Sequence, residues 1–400
     1  MAMKKNLTSY RIFTGTLLIL VVPLLIPVLL IAGTINLAQT GETTCYDTAG
    51  TLIACAGTGQ DGDIQAGVPW PDPRFTDIGD GTIRDNLTGL IWTQDAKITC
   101  TSAAPNWPTA LAYIAGMNSG INTNFGYTDW RLPNALELLS LSHQGEYYTG
   151  TWLESQGFIN VGTYASSYWT STTWVKSPDR AWLFNLYSNF PWSGDKDAET
   201  YCFWPVRAGQ QGTADPTYPA NIWKTGQTTC YNNAGTTINC ANTGQDGEKQ
   251  AGVAVPEPRF IVHENGTFTD NLTGLTWLTP IGSALKTWQE ALDQANTLSN
   301  SSTTSRLPNT NEAMSIQSFT LTPTMSSIGP CWTNNSLNIA DLNFERYAPI
   351  YDVNENTMSP WEEELKDERE AFRIIVELRG DDSPKKFELM GALFILLLGE

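Results

Sequence analysis

Hydrophobic positions fall into three regimes along this chain. An apolar run from Ile12 to Gly33, interrupted only by small residues and by Pro23 and Pro27, comes first; a long body with short apolar bursts follows; a largely apolar tail, Phe387 to Gly399, ends it. In the body, Arg74 to Asp77 and Thr82 to Arg84 flank a Gly-Asp-Gly turn, and a second stretch carries Asn265-Gly266 in the same place. Asp-Gly and Asn-Gly favour the positive φ angles of tight turns, so both stretches predict hairpins. Trp107 to Met117 and Trp288 to Leu298 read as helices, the second opened by Thr287 with Glu290 three residues on, a capping box. Asn134 with Glu137, and Asn309 with Glu312, repeat that signal directly after two Arg-Leu-Pro strings, whose Pro133 and Pro308 keep the preceding residue extended. Aromatic, strand-like segments follow at Ser167 to Thr173, Ala181 to Tyr187 and Tyr201 to Arg207. The order of hairpin, two helices and several strands predicts an α+β fold with helices on an antiparallel sheet.

The two stretches are copies. Residues 40–92 and 225–277 agree at 34 of 53 positions under one offset of 185. Further on the match thins but keeps its order, with Trp107 answered by Trp288, Trp169 by Trp332, and a shrinking offset that marks lost loop residues in the second copy. The domain plan is residues 39–210, a linker at 211–223, a divergent second copy at 224–380 and an apolar tail at 381–400. The copies are expected to fold separately, and the register of the last strand, Phe372 to Leu378, is left open.

Composition and charge narrow the setting. Net charge is −18, with +3 in residues 1–38, −9 in 39–210 and −12 in 211–382. Such acidity repels nucleic acid and sulfated glycans at long range, so no nucleic-acid partner is expected. Lys4, Lys5 and Arg11 before the apolar run make residues 1–38 an export signal, cleaved near Ala32 or Ala38, or else retained as an anchor over residues 12–33. The chain is therefore expected outside the cytoplasm, secreted or at the cell surface, with membrane contact only through that segment.

Cys45 and Cys55 recur as Cys230 and Cys240, each pair closing a short polar loop, and predict two local disulfides contributing roughly 2 to 3 kcal/mol each. Seven cysteines leave Cys331 over, either a buried thiol beside Trp332 or an intermolecular link; the tail offers a second route to self-assembly. Asp77 and Asp80 could serve calcium, but Val262 and Asn265 replace them in the second copy while Gly266 stays, as a turn requires. Asp85 and Asn86, answered by Asp270 and Asn271, read as turn braces, although Asn-Leu-Thr is also a glycosylation sequon. His143 and His263 are the only histidines, and no nucleophile elbow, phosphate loop or zinc spacing is present, so neither a catalytic residue nor a cofactor is indicated.

The strings RFTDIGDGTIRDNLTGLIW, GYTDWRLPN, SSYWTSTT, AWLFNL and YCFWPVRAG together resemble the Lcl C-terminal domain family, a bacterial extracellular domain named for a collagen-like adhesin. The resemblance implies two tandem C-type-lectin-like domains with Trp92, Trp130, Trp169 and Trp204 in the core, and a Cys100–Cys202 disulfide tying helix to sheet in the first. It also draws attention to Asp195, Asp197 and Glu199, near where calcium-dependent lectins place ligands, although the paired lectin motifs are absent. Tyr147, Tyr148, Trp152, Trp174, Trp182, Tyr187 and Trp192 lie in the less regular half, where exposed rings stack on sugars or pack into protein interfaces. The expected function is non-enzymatic binding of glycan or protein at the cell surface through these aromatic loops. The alternatives are a structural subunit of an extracellular assembly and, third, a polysaccharide hydrolase.

Overall fold

The Gly79-Asp80-Gly81 turn closes an antiparallel hairpin, Phe75–Asp77 with Thr82–Asp85, and the same hairpin recurs as Phe260–Val262 with Thr267–Asp270. Its side chains act as turn formers: Asp77 accepts from Gly79 N–H at 2.8 Å and Asp80 from Thr82 N–H at 3.0 Å, while Asn265 accepts from Thr267 N–H in the repeat. The computed structural model describes residues 34–278 apart from 99–103, 147, 163–166 and 187–188, then 286–316 apart from 302, and short stretches between 319 and 378. The fold mixes few helices with several antiparallel sheets.

Each hairpin extends into a sheet. In the first half the strand order is Phe75–Asp77, Thr82–Asp85, Leu90–Thr93, Val206–Ala208, with Arg131 bridging Val206. In the second it is Phe260–Val262, Thr267–Asp270, Thr276–Leu278, Ile375–Leu378, Thr303–Arg306. An arginine pins each turn, buried in the first half and partly buried in the second: Arg74 meets Asp85 and Arg259 meets Asp270, each also donating to a helix-end carbonyl, of Ser140 or Ser315. Asp85 further accepts from Leu87 N–H and Thr88 Oγ1, which makes it the brace that the repeat suggested.

All three anticipated capping boxes form, at Asn134/Glu137, Thr287/Glu290 and Asn309/Glu312. The first helix, Trp107–Asn118, is capped by Asn106, and a further helix, Thr149–Ser155, follows the second without a side-chain cap. Beyond it Ser167–Thr173, Arg180–Asn185 and Phe190–Asp195 form a three-stranded antiparallel sheet. Trp92, Trp130, Trp169 and Trp204 are each at most 1% exposed. Disulfides join Cys45 to Cys55 and Cys230 to Cys240, and Cys202 is disulfide-bonded as well; its expected partner, Cys100, lies outside the described residues. In each module a glycine admits the cystine: a Cβ on Gly62 or Gly247 would lie 2.9 Å from the Sγ of Cys45 or Cys230.

The halves do not stand apart, as the sequence suggested they would. From Ile31 on the chain is one compact unit, and each disulfide module docks on the opposite half. Asn309 of the second half donates to Ala66 C=O at 3.1 Å, and Asn134 of the first donates to Ala251 C=O at 3.2 Å. The expected linker takes part, with Ala220 and Trp223 2% and 6% exposed and Ala220 N–H donating to Leu87 C=O, and so does Ile35 of the leading segment, whose N–H donates to Leu272 C=O. Asn36 and Asn221, 185 positions apart, bond to each other where the two halves meet. One apolar cluster runs through both halves, from Trp92 and Trp204 to Leu272 and Met314.

Candidate functional site

The edge of the three-stranded sheet carries the most accessible of the described aromatic candidates. Trp192 pairs with Leu183 across the ladder and so shares its face, whereas Trp182 pairs with Ser193 on the other face. Trp192 is 44% exposed and its ring lies 5.6 Å from that of Tyr201. Gly194 makes room for this arrangement, because a Cβ there would meet the Tyr201 ring at 2.9 Å and that of Trp169 at 3.0 Å. Around the rings, Arg180 sits 3.7 Å from Glu199 and donates to Ser193 Oγ at 3.0 Å, and the Tyr201 hydroxyl donates to Glu199. Burial and the Glu199 carboxylate push the Tyr201 phenol up, so it remains a donor.

The three acidic candidates of this loop are spent on local structure. Asp195 accepts from the backbone of Ala198 and Asp197, which holds its carboxyl below the ordinary range. Asp197 accepts from Asn233 of the opposite disulfide module at 2.6 Å, and Glu199 is held by Arg180 and Tyr201. Among the described residues no group of three His, Cys, Asp or Glu is placed to hold a metal ion. Beneath the loop Lys196 is fully buried, 4.3 Å over the Trp107 ring, with Nζ donating to Thr173 Oγ1 and Pro178 C=O. Burial, only partly offset by Asp179, lowers its pKa to about 7.

The other candidates are dispersed. Trp182, 1% exposed and 5.7 Å from the Phe319 ring, belongs to the core and cannot face a ligand; its strand alternation turns it inward. Trp174 is half-buried against it. Trp152 packs beside Trp70, Phe75 and His143, with the Arg74 guanidinium 4.1 Å from the Trp70 ring, and burial together with Arg74 lowers His143 to about 4. Tyr148 is half-buried at the start of the Thr149–Ser155 helix. Tyr147 and Tyr187 lie outside the described residues, as do residues 12–33 and the tail. Cys331 occupies the strand position of Tyr168, as the repeat foretold: it pairs in parallel with Ala371 as Tyr168 does with Cys202.

Sequence reasoning missed a second polar cluster, the pair of buried clasps between the halves. In one, Asp246 accepts from Thr225 at 2.6 Å and Thr172 at 2.8 Å, while Gln227 bonds both the N–H and the C=O of Thr173. In the other, Asp61 accepts from Thr40 and from Asn335 at 2.9 Å, while Glu42 accepts from Asn335 at 2.7 Å and from Ser336. Burial raises Asp246 and Asp61 to about 6, and burial with Asp61 nearby raises Glu42 to about 8. The available signal was the Glu/Gln difference inside the otherwise repeated TG-x-TTC string.

Residues 81–207 match the Lcl C-terminal domain, from the second strand of the first hairpin into the closing strand, Trp192 and the acidic loop included. No curated protein and no solved structure matches the chain. The closed disulfides fit an oxidising, extracellular setting. No described helix is long and apolar enough to cross a membrane.

Proposed function

We propose that the protein is a non-enzymatic, extracytoplasmic binding protein that takes a neutral glycan across Trp192 and Tyr201. In this reading both halves are C-type-lectin-like Lcl C-terminal domains, the second having diverged, and only the first keeps the binding edge. The observation that carries it is Trp192, a large ring 44% exposed on an edge strand and backed by a second ring, with Arg180 and Glu199 beside it. Sugar rings present an apolar face to stack on such a surface and hydroxyls for the flanking charges to bond. A net charge of −18 argues for an uncharged ligand. A glycan array of neutral and sulfated oligosaccharides, read with the full mature chain and with Trp192→Ala, tests this. Binding to neutral members should fall about tenfold or more in the variant, as for a truncated interface anchor. No neutral signal, or tight heparin retention that weakens with salt, would overturn it.

A further inference from the structure

The two charged groups beside Trp192 stand at the ends of two turns. Arg180 closes one, its N–H donating to Ser177 C=O at 2.9 Å, and Glu199 closes the other, its N–H donating to Asp195 C=O at 3.3 Å. Lys196 ties the turns into one body: its N–H donates to Asp179 C=O at 3.0 Å and its Nζ to Pro178 C=O at 2.8 Å. Where that body sits decides where Arg180 and Glu199 stand relative to the exposed ring.

The second disulfide module grips both turns from the opposite half. Its hairpin pairs Cys230–Tyr231 with Thr237–Ile238. At the tip Gly235 lies against the first turn, where a Cβ would be 3.0 Å from Asp179 N, so only glycine allows this approach. Beside it Asn233 Nδ2 donates to Asp197 Oδ1 in the second turn at 2.6 Å, and the Tyr231 ring lies 5.8 Å from Lys196 Nζ. Behind the tip Gln227 accepts from Thr173 N–H at 3.0 Å, and the Thr173 hydroxyl in turn accepts from Lys196. The grip thus falls on the residue before Arg180, on the residue two before Glu199 and on the lysine that joins the turns. The tip itself is stiff: the Cys230–Cys240 disulfide closes it, and Asn232 Oδ1 accepts from Ala234 and Thr236 N–H. Groups held in place before a ligand arrives spare it the cost of ordering them.

We propose that the second disulfide module positions the binding edge of the first half, Asn233 and Gly235 setting Arg180 and Glu199 where a sugar stacked on Trp192 meets them; this rests on the glycan reading of that edge. Amide hydrogen exchange, and binding to the neutral array oligosaccharides, test it on the full mature chain, on Asn233→Asp, and on Asn233→Asp together with Asp197→Asn. The single change sets a carboxylate against Asp197 at nearly constant volume, and the pair restores the bond with donor and acceptor exchanged. Asn233→Asp should speed exchange about threefold or more at Arg180 and at Ala198, whose N–H donates to Asp195 Oδ1 at 2.8 Å, and weaken oligosaccharide binding about threefold or more. Arg131, whose N–H donates to Val206 C=O at 2.9 Å, should not change. The exchanged pair should return all three readings to those of the unaltered chain. Unchanged exchange in Asn233→Asp, unchanged binding beside faster exchange, or a pair no better than the single change overturns the proposal. Exchange needs no glycan, so a chain that binds no neutral oligosaccharide fails the glycan reading and leaves the grip to be judged by exchange alone. Where Arg131 quickens as well, the exchanged pair decides: recovery supports the proposal and its absence refutes it.

Discussion

Glu42 and Gln227 hold one position of the repeat and one position of the clasp, and they differ only in what can ionise. Burial first, and Asp61 second, raise Glu42 from 4.5 to about 8, so at neutral pH it is protonated and stands in for the amide. The unfolded chain releases that proton near 4.5, so this contribution to stability is full below about 4.5 and declines as pH rises towards about 8. Glu42→Gln should remove the decline: melting like the unaltered chain near pH 4, and more stable by on the order of a few kcal/mol at pH 8. Urea unfolding from pH 4 to 9 measures it, and a variant less stable across the whole range would refute the reading. Lys196 acts with the opposite sign and in another window. Its pKa is lowered from 10.5 to about 7, so its contribution rises with pH between those values and leaves the slope below 7 to the carboxyls. Asp61 and Asp246 add declines ending near 6, present in both proteins.

At the scale of elements, what could be read locally was read well. Asp-Gly, Asn-Gly, the two Asn-x-x-Glu boxes and the Thr-x-x-Glu box each encode a backbone conformation within a few residues, and the hairpins and three capped helices follow from them. The helix Thr149–Ser155 left no such mark, because Tyr148 at its start makes no side-chain cap bond. Trp182 and Trp192 show the limit in the candidate site. Both sit in aromatic strands, but which ring faces out depends on cross-strand register, and only the pairing of Trp182 with Ser193 decides it. The packed stretches at 35–38 and 220–223 were equally hidden, since Ile-Asn-Leu-Ala and Ala-Asn-Ile-Trp share a single residue. Ile35 is 3% exposed and its N–H is bonded, so a processed chain should begin at or before Thr34. Cleavage near Ala32 meets that condition and cleavage at Ala38 does not. N-terminal sequencing of exported protein checks it, and a chain starting at Gln39 with unchanged melting would count against the prediction.

For the whole molecule, the two halves meet as the subunits of a symmetric dimer do, each offering the other the same surface. Thr40, Asp61 and Asn335 on one side repeat Thr225, Asp246 and Thr172 on the other, across more than 270 residues between Asp61 and Asn335. Pairings between segments so distant leave no local pattern, which is why the clasps were invisible while the acidic loop and Trp192 were not. The exchange also decides what a protease can achieve. Residues 213–217, between the halves, are mostly exposed, and cutting there severs the only described covalent path from one half to the other. Each fragment would still be gripped by the disulfide module of its partner. A chain nicked in this loop should therefore elute as one particle of undiminished mass and separate only in denaturant; fragments that part in native buffer would contradict it. A protein built this way can be cut without being taken apart.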